Sequence, residues 1–323
     1  SRMDPSKPTT APRIVLVFAA TDPSGGAGLQ ADVMTLASMG CHPLSVITAL
    51  TVQDTLGVEG VMPIDSDWVA DQARALLEDM PVDAFKLGVL GSRENIVAVA
   101  EVVSDYPDVP LVLDPVLASG RGDPLANDEM LDALRELLLP VSTIVTPNSL
   151  ELRRLAGDGG DDEGDAPGLD ACARRLLDLG CEYLLVTGTH EAGVDVVNTL
   201  YGREGVLRSD HWQRLPNSYH GSGCTLASAI AAALANGLAV TDAVREGDLI
   251  AGKYRVERVI GRGGMGLVRA TASEGIQHEE AARPGGGRPG GQQHAAEQEY
   301  RRRAIDVGQH QQREDFAVEQ HVA

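Results

Sequence analysis

Short apolar runs alternate with helical patterns over most of this chain, and this alternation constrains the fold more than any other feature. The apolar runs predict strands at Arg13–Ala20, Ser45–Leu50, Ala84–Leu90, Leu111–Leu113, Thr143–Thr146 and Tyr183–Thr187. The helical patterns lie at Gly28–Met39, Trp68–Glu78, Ile96–Val103, Leu131–Leu139 and Leu169–Leu179. Short apolar runs of this kind are typical of strands that are buried on both faces. The sequence therefore predicts an α/β domain in which helices flank a mostly parallel sheet.

Polar motifs follow several of the predicted strands at the points where those strands end. These motifs are Thr21-Asp22, Thr51-Val52-Gln53-Asp54, Lys86-Leu87-Gly88, Asp114-Pro115 and Thr146-Pro147-Asn148. In open α/β proteins, ligands bind at the carboxyl ends of the parallel strands. We therefore expect these motifs to meet at one edge of the sheet and to form a single site there.

A glycine-containing turn, Gly221-Ser222-Gly223-Cys224-Thr225, precedes a run of small and apolar residues from Leu226 to Leu238. The run predicts a helix, whose positive N-terminal end and N–H groups attract an anion. Cys224 lies in the predicted first turn, where the same field is expected to lower the pKa of its thiol. The segment indicates a phosphoryl-transfer centre that contains a potential base. The alternative for Cys224 is a small thiol that packs beneath the helix.

Charge and composition argue against some partners. The 323 residues carry a formal net charge of −20, which argues against a nucleic-acid partner. The chain has no stretch of roughly 20 uninterrupted apolar residues, so we expect no membrane-spanning helix. The four cysteines form no CxxC pair, which favours reduced thiols and a cytoplasmic protein.

Composition divides the chain into three parts. Residues 1–12 are polar and contain proline, and we expect a disordered leader there. Residues 13–247 form the predicted α/β domain, which includes an acidic, glycine-rich loop at Asp158–Gly168. That loop lacks a defined spacing of metal ligands and is interpreted as a mobile surface loop. Residues 248–323 form a divergent tail, of which residues 271–323 are poor in apolar periodicity and are expected to be disordered.

Taken together, the motifs resemble those of the bacterial hydroxymethylpyrimidine/phosphomethylpyrimidine kinases of thiamine biosynthesis, which have a ribokinase-like fold. The similar segments, in family order, are Asp22–Asp32, Val46–Asp54, Lys86–Gly91, Asp114–Leu117, Thr146–Glu151 and His220–Thr225. The resemblance implies a three-layer sandwich with a mostly parallel central sheet. It further implies ATP and Mg²⁺ as cofactors, a small pyrimidine as substrate, and a homodimer.

The implied reaction phosphorylates 4-amino-5-hydroxymethyl-2-methylpyrimidine and then phosphorylates its monophosphate again. By this resemblance, Cys224 would take the proton from the substrate hydroxymethyl group. The backbone around Gly221, Ser222 and Gly223 would bind the transferring phosphoryl group.

The resemblance also assigns the cofactor residues. Asp114 and Glu151 are candidates for holding Mg²⁺, partly through water. Asn148, Thr187 and Thr225 are candidates for contacting the nucleotide. From the residues alone, Asp114 could instead be a turn residue before a proline, and Asn148 could be a helix N-cap.

Asp22 and Gln53 are the expected pyrimidine readers, because a carboxylate and a carboxamide match the donors and acceptors of an aminopyrimidine. Gly26 would allow a close approach of the backbone to the substrate. The alternative for Asp22 is a cap in the turn between a strand and a helix. Lys86 is either a phosphate contact or a strand-end lysine that extends to water.

Two features depart from the family pattern. Many members carry a lysine at the position of Thr187, where it approaches the nucleotide phosphates. Residues 248–270 resemble the first strand and glycine-rich loop of bacterial serine/threonine protein kinases, but no strand lysine, HRD or DFG motif follows. We interpret this tail as a truncated fusion, a shifted reading frame or a gene-model junction. Two alternatives stay open: a pyridoxal kinase of the same fold, and a non-catalytic remnant.

Overall fold

The computed structural model describes residues 11–54, 57–157, 168–214 and 221–245, together with the backbone of residues 255–259 and 266–269. The strands are β1 (Ile14–Ala19), β2 (His42–Ile47), β3 (Ala49–Gln53), β4 (Val58–Pro63), β5 (Ala84–Leu87), β6 (Leu111–Leu113), β7 (Ile144–Val145), β8 (Tyr183–Val186), β9 (Asp195–Gly202), β10 (Gly205–Gln213), β11 (Arg255–Val259) and β12 (Gly266–Arg269). The helices are α1 (Gly28–Ser38), α2 (Ser66–Asp79), α3 (Arg93–Ser104), α4 (Asp128–Ala133), α5 (Ser149–Leu155), α6 (Leu169–Asp178) and α7 (Ser222–Ala235). Helix α4 continues through a π turn and a 3₁₀ turn to Val141, and residues 240–245 are also helical.

The central sheet has eight strands in the order β10-β9-β8-β7-β6-β5-β1-β2. The strands from β8 to β2 in that order run parallel. Strands β9 and β10 are antiparallel and continue the sheet at one edge. A separate antiparallel pair is formed by β3 and β4, and another by β11 and β12. The predicted α/β class with a mostly parallel sheet is therefore confirmed.

Helices cover both faces of this sheet. Alternate side chains of each strand point to opposite sides, and the apolar side chains on each side are buried against helices. On β1, Leu16 and Phe18 belong to one core cluster, which also contains buried residues of α2 and α3. Val15 and Val17 belong to a second cluster, which contains buried residues of α1 and α7. The result is the three-layer sandwich that the resemblance implies, with α1 and α7 together on one face.

Two parts of the strand prediction need correction. The predicted strand at Ser45–Leu50 is in fact the end of β2 and the start of β3, which lie in different sheets. The chain changes sheet at Thr48, whose hydroxyl donates to the carbonyl oxygen of Val89 at 2.6 Å. Strands β4, β9 and β10 were not predicted, because they are antiparallel strands with interleaved polar residues rather than continuous apolar runs.

Some predictions fall on residues that the structure does not describe. These are most of the leader, the acidic loop at residues 158–167, and residues 270–323. Strands β11 and β12 lie in the segment that resembles the start of a protein kinase, and they pair antiparallel. Over the part of the chain that the structure describes, no helix is both long and apolar enough to cross a membrane.

Candidate active site

Several predicted site residues lie at the carboxyl edge of the parallel strands. Asp22 follows β1, Asp114 follows β6, Asn148 follows β7 and Thr187 follows β8. An isolated parallel bridge joins Asn148 to Thr187 and extends the pairing of β7 with β8 at this edge. The sheet topology therefore collects these residues where ligands of open α/β folds bind.

The N-terminus of α7 lies against the loop that follows β1. Gly221 precedes the helix with a left-handed φ of 84°. A Cβ atom at Gly221 would collide with the backbone carbonyl oxygen of Gly26. Glycine at this position therefore lets the helix terminus approach the loop more closely than any other residue would.

The first N–H groups of α7 form the predicted anion cradle, which we define as Gly221–Cys224. In an α-helix, the N–H groups of the first turn have no acceptor within the helix, so those of Ser222, Gly223 and Cys224 are available to a phosphate. The N–H of Thr225 instead donates to the carbonyl oxygen of Gly221 at 3.0 Å. Thr225 is buried, and its contact with a nucleotide stays a prediction.

Asp22 orders the loop after β1. It is 1% exposed. Its Oδ1 accepts hydrogen bonds from the N–H and the hydroxyl of Ser24 at 2.8 and 2.6 Å, and its Oδ2 accepts from the N–H of Ala27 at 2.7 Å. The structure thus shows the turn-capping role that was the alternative for Asp22. Its contact with a pyrimidine stays a prediction.

Gln53 lies on the β3–β4 hairpin, which contacts the chain just before Asp22. The Thr51 hydroxyl donates to the carbonyl oxygen of Thr21 at 2.7 Å, and the N–H of Thr21 donates to the carbonyl oxygen of Ala49 at 3.0 Å. Side chains two residues apart on a strand share a face. The β3–β4 pairing is irregular between Val52 and Gln53, but Thr51 and Gln53 are both partly buried whereas Val52 is 64% exposed, so Gln53 is on the same face as Thr51, towards the loop after β1.

The Cys224 thiol lies where the cradle meets that loop. Part of the residue is exposed, yet its sulfur is closely surrounded and interacts with the N–H of Gly28. Burial and the charge of Asp114 raise the pKa of the Cys224 thiol well above its ordinary value, although Lys86 opposes this. The prediction of a lowered pKa is therefore wrong for this structure, because desolvation and the nearby carboxylate outweigh the helix terminus.

Lys86 does not extend to water, so that alternative is wrong. Its side chain has no exposed surface, and Nζ lies 2.9 Å from Oδ2 of Asp32 and 3.6 Å from Oδ2 of Asp114. Burial alone would lower the pKa of Lys86, but the charges of Asp32, Cys224 and Asp114 outweigh it and hold that pKa above its ordinary value. Lys86 is therefore a buried ammonium ion. Its contact with a phosphate stays a prediction.

Asp32 was not assigned a role from the sequence, although it lies at the centre of this cluster. Its Oδ2 accepts from Lys86, and its Oδ1 accepts from the hydroxyl of Ser228 at 2.7 Å. Burial raises the pKa of Asp32, while the bonds from Lys86 and Ser228 favour its charged form. A signal was present in the sequence: Asp32 lies between Leu29 and Leu36 on the buried face of α1, where a charge needs a partner.

Asp114 and Glu151 form a pair of buried carboxylates suited to a cation. Oδ2 of Asp114 accepts no hydrogen bond from any described residue. Burial and the charge of Asp114 raise the pKa of Glu151 to about 8. Among the described residues, no cluster of three or more His, Cys, Asp or Glu side chains could hold a metal. These two carboxylates would therefore share an ion with water, which is the coordination that Mg²⁺ prefers.

The start of α5 fixes the orientation of Glu151. The Asn148 side chain accepts from the N–H of Leu150 and of Glu151 at 3.0 and 2.9 Å. In return, Oε2 of Glu151 accepts from the N–H of Asn148 at 2.9 Å. This capping box confirms the predicted N-cap role of Asn148. Oε1 of Glu151 accepts from the N–H of Leu117 at 3.2 Å, so both oxygens have defined positions.

The raised pKa of Glu151 predicts a pH dependence of stability. Between the ordinary pKa of 4.5 and about 8, the folded chain holds a proton that the unfolded chain has released. The contribution of Glu151 to the free energy of unfolding is therefore fully present below the lower value. It should fall by on the order of 5 kcal/mol as the pH rises through this window.

Denaturant titrations at about pH 5 and about pH 9, without Mg²⁺, measure this fall. Glu151→Gln should remove most of it. Glu94→Gln should keep it, because Glu94 also lies in the first turn of a helix but is exposed. Equal pH dependence in the wild type and in Glu151→Gln would contradict the prediction.

The segment after Thr187 is held by an arginine. The guanidinium of Arg214 donates to the carbonyl oxygens of Thr189, Glu191 and Gly193 at 2.7, 2.7 and 3.0 Å. The N–H of Thr187 donates to the carbonyl oxygen of Pro147 at 3.0 Å, which ties the end of β8 to the end of β7. Several hydrogen bonds thus hold this segment, but Thr187 itself supplies no charge to a phosphate. The nucleotide contacts of Asn148 and Thr187 stay predictions.

Comparison with known proteins relates this site to a family of kinases. The family model described as phosphomethylpyrimidine kinase matches residues 22–259, a range that contains every predicted site residue. A Streptomyces coelicolor protein named hydroxymethylpyrimidine/phosphomethylpyrimidine kinase is 42% identical over 246 residues, which are 75% of this chain and 87% of that protein.

Solved structures agree with this relationship. The phosphomethylpyrimidine kinase from Clostridium difficile 630 has a TM-score of 0.62 and 33% identity, over 73% of this chain and 96% of that one. The pyridoxal kinase from Staphylococcus aureus, in complex with AMP-PCP and pyridoxal, has a TM-score of 0.71 and 28% identity, over 83% of this chain and 97% of that one.

Proposed function

The chain belongs to the phosphomethylpyrimidine kinase family, and we propose that it transfers a phosphoryl group from ATP to 4-amino-5-hydroxymethyl-2-methylpyrimidine and then to the resulting monophosphate. The observation that carries this proposal is the N-terminus of α7, which lies beside a thiol and a pair of buried carboxylates. Donors for phosphoryl oxygens, ligands for Mg²⁺ and a proton acceptor are thereby gathered in one site.

The cradle binds the group that is transferred. N–H groups of Ser222, Gly223 and Cys224 donate to the phosphoryl oxygens, and the helix terminus favours their negative charge. Asp114 and Glu151 would hold a Mg²⁺ ion, partly through water, and that ion would neutralise charge on the phosphates when bound. These groups are already oriented by the fold, so little reorganisation opposes the transfer.

Cys224 accepts the proton of the hydroxymethyl oxygen. As that oxygen forms its bond to phosphorus, the bond to the departing ADP breaks and the proton passes to the thiolate. The raised pKa of Cys224 leaves little thiolate at neutral pH. The positive charge of Lys86 opposes this rise in pKa and therefore increases the fraction of Cys224 that is thiolate.

Gln53 reads the pyrimidine, and Asp22 shapes the loop beside it. A carboxamide can both donate to and accept from the adjacent groups of an aminopyrimidine. Gln53 lies on the hairpin face turned towards this loop, whereas both carboxylate oxygens of Asp22 already accept hydrogen bonds within the loop. We propose that Gln53 and Asp22 both contact the pyrimidine, and that Asp22 also orders the loop.

A substrate panel tests the proposal. Steady-state assays with MgATP should give a higher kcat/KM for the hydroxymethylpyrimidine than for pyridoxal. The TM-score of 0.71 with a pyridoxal kinase is the observation that supports the pyridoxal alternative. Faster turnover of pyridoxal than of the hydroxymethylpyrimidine would reverse the assignment. The divergent tail motivates the non-catalytic alternative, which binding of the pyrimidine without consumption of ATP would favour.

A further inference from the structure

We propose that Asp32, through its contacts with Lys86 and Ser228, is the positioning residue that fixes the first turn of α7 relative to Asp114. This inference rests on the proposed function, because it concerns the same phosphoryl-transfer site. Asp32 acts through its neighbours and takes no part in the chemistry.

The contacts of Asp32 connect three elements of the fold. Asp32 lies on α1, Lys86 on β5 and Ser228 on α7. Nζ of Lys86 is 2.9 Å from Oδ2 of Asp32, and the hydroxyl of Ser228 donates to Oδ1 at 2.7 Å. All three residues are fully buried. A single carboxylate therefore joins the central sheet to α1 and to α7.

The contact between Asp32 and Ser228 joins α1 to α7, and a second contact between these helices lies at the cradle. Ser228 lies four residues after Cys224 on α7, and Asp32 lies four residues after Gly28 on α1, so each pair shares a helix face. The N–H of Gly28 interacts with the sulfur of Cys224. The two helices thus meet at two points that are one turn apart. Two such points define the rotation of α7 as well as its distance from α1.

Lys86 connects the same carboxylate to the proposed cation pair. Its Nζ is 3.6 Å from Oδ2 of Asp114, the oxygen that accepts no hydrogen bond from a described residue. With Asp32 present, the ammonium group divides its attraction between two carboxylates. Without the charge of Asp32, the ammonium would pair with Asp114 alone and would compete with a cation for that oxygen.

A purely stabilising role accounts poorly for this network. Buried ion pairs can often be replaced by apolar groups of similar volume with no loss of stability, because desolvation offsets the attraction. The network joins Asp32 to Lys86 and Ser228, and Lys86 to Asp114, whereas the proposed pyrimidine reader Gln53 lies on the β3–β4 hairpin. Loss of the network should therefore affect kcat more than the binding of the pyrimidine.

Asp32→Asn should lower kcat, measured at saturating MgATP, roughly 30-fold and change the KM for the pyrimidine less than about 3-fold, because the reacting groups are displaced while Gln53 keeps its place. Asp32→Asn combined with Lys86→Met removes both buried charges. In this double variant of the full chain, the melting temperature should return close to the wild-type value, while kcat should lie below that of Lys86→Met alone. A kcat equal to that of Lys86→Met would overturn the proposal.

A milder variant tests the link to α7 without disturbing the charges. Ser228→Ala should lower kcat roughly 5-fold. It should also speed alkylation of Cys224 by iodoacetamide, followed by mass spectrometry without substrate or metal, because the first turn of α7 is less firmly held. Thr35→Val is the matched control, since Thr35 is also buried and its hydroxyl donates within α1, to the carbonyl oxygen of Ala31 at 2.7 Å. That control should change neither quantity.

If Ser228→Ala has the same kcat and the same rate of Cys224 alkylation as the wild type, the positioning role is wrong. Failure of the wild-type chain to phosphorylate the pyrimidine would instead overturn the proposed function. In that case, the alkylation rates would still decide whether Asp32 and Ser228 position the helix, because they require no turnover.

Discussion

Replacing Cys224 with alanine is expected to lower kcat by about 10²- to 10⁴-fold, the range that general base catalysis contributes. The proton of the hydroxymethyl oxygen then has no acceptor in the cradle. The fold should persist, because the substitution removes only the sulfur atom and alanine is the best helix former in the first turn of α7. Steady-state kinetics with MgATP and the pyrimidine measure the loss, and circular dichroism checks the fold.

Two controls separate catalysis from packing in this experiment. Cys181→Ala removes a fully buried thiol before β8, so it should lower the melting temperature but not kcat. Because the pKa of Cys224 is raised, the wild-type kcat should increase with pH above neutrality, and Cys224→Ala should lose this increase. Near-full activity of Cys224→Ala would show that the base assignment is wrong.

Gly221→Ala is expected to disrupt the cradle and to lower kcat by more than about 100-fold. The new Cβ would collide with the backbone carbonyl oxygen of Gly26, and no side-chain rotation can relieve a contact with backbone. The left-handed φ of 84° adds about 1–2 kcal/mol of strain for any residue with a Cβ. The helix terminus must therefore move away from the loop after β1. Denaturant titration should show that the free energy of unfolding falls by about 3 kcal/mol or more.

Gly237→Ala is the matched control for this collision. Gly237 lies just beyond the other end of α7 with a φ of 85°, and a Cβ there would meet nothing within 4 Å. In Gly237→Ala, backbone strain should lower the free energy of unfolding by only roughly 1–2 kcal/mol, and kcat should stay at the wild-type value. Equal losses of stability and activity in the two variants would mean that the collision with Gly26 is not the cause.

The parallel part of the sheet could be predicted because its strands are buried on both faces and therefore appear as continuous apolar runs. Leu111–Leu113 was predicted with the bounds that β6 has in the structure. The β3–β4 hairpin could not be found in this way, because it lies outside the main sheet and exposes Val52 and Met62. Its strands lack a continuous apolar signal and depend on contacts with Thr21.

The site was predictable where it depends on local sequence. The Asn148 cap and the glycine turn before α7 are encoded within a few residues, and the structure has both. The bond between Asp32 and Ser228 joins residues that are 196 positions apart, so no local pattern could reveal it. The pKa of Cys224 likewise depends on burial and on Asp114, which only the folded chain brings near it.

Helix α7 limits how this sequence can vary during evolution or in protein engineering. Every residue from Thr225 to Ala235 is buried, and most of them are alanines. No position on this stretch can accept a charge or a longer side chain without moving the whole helix, because close-packed interiors transmit displacement. A larger side chain at Ala233 would therefore displace the cradle, which lies more than two turns away along α7. New substrate preferences should arise instead through substitutions in the loops and the β3–β4 hairpin.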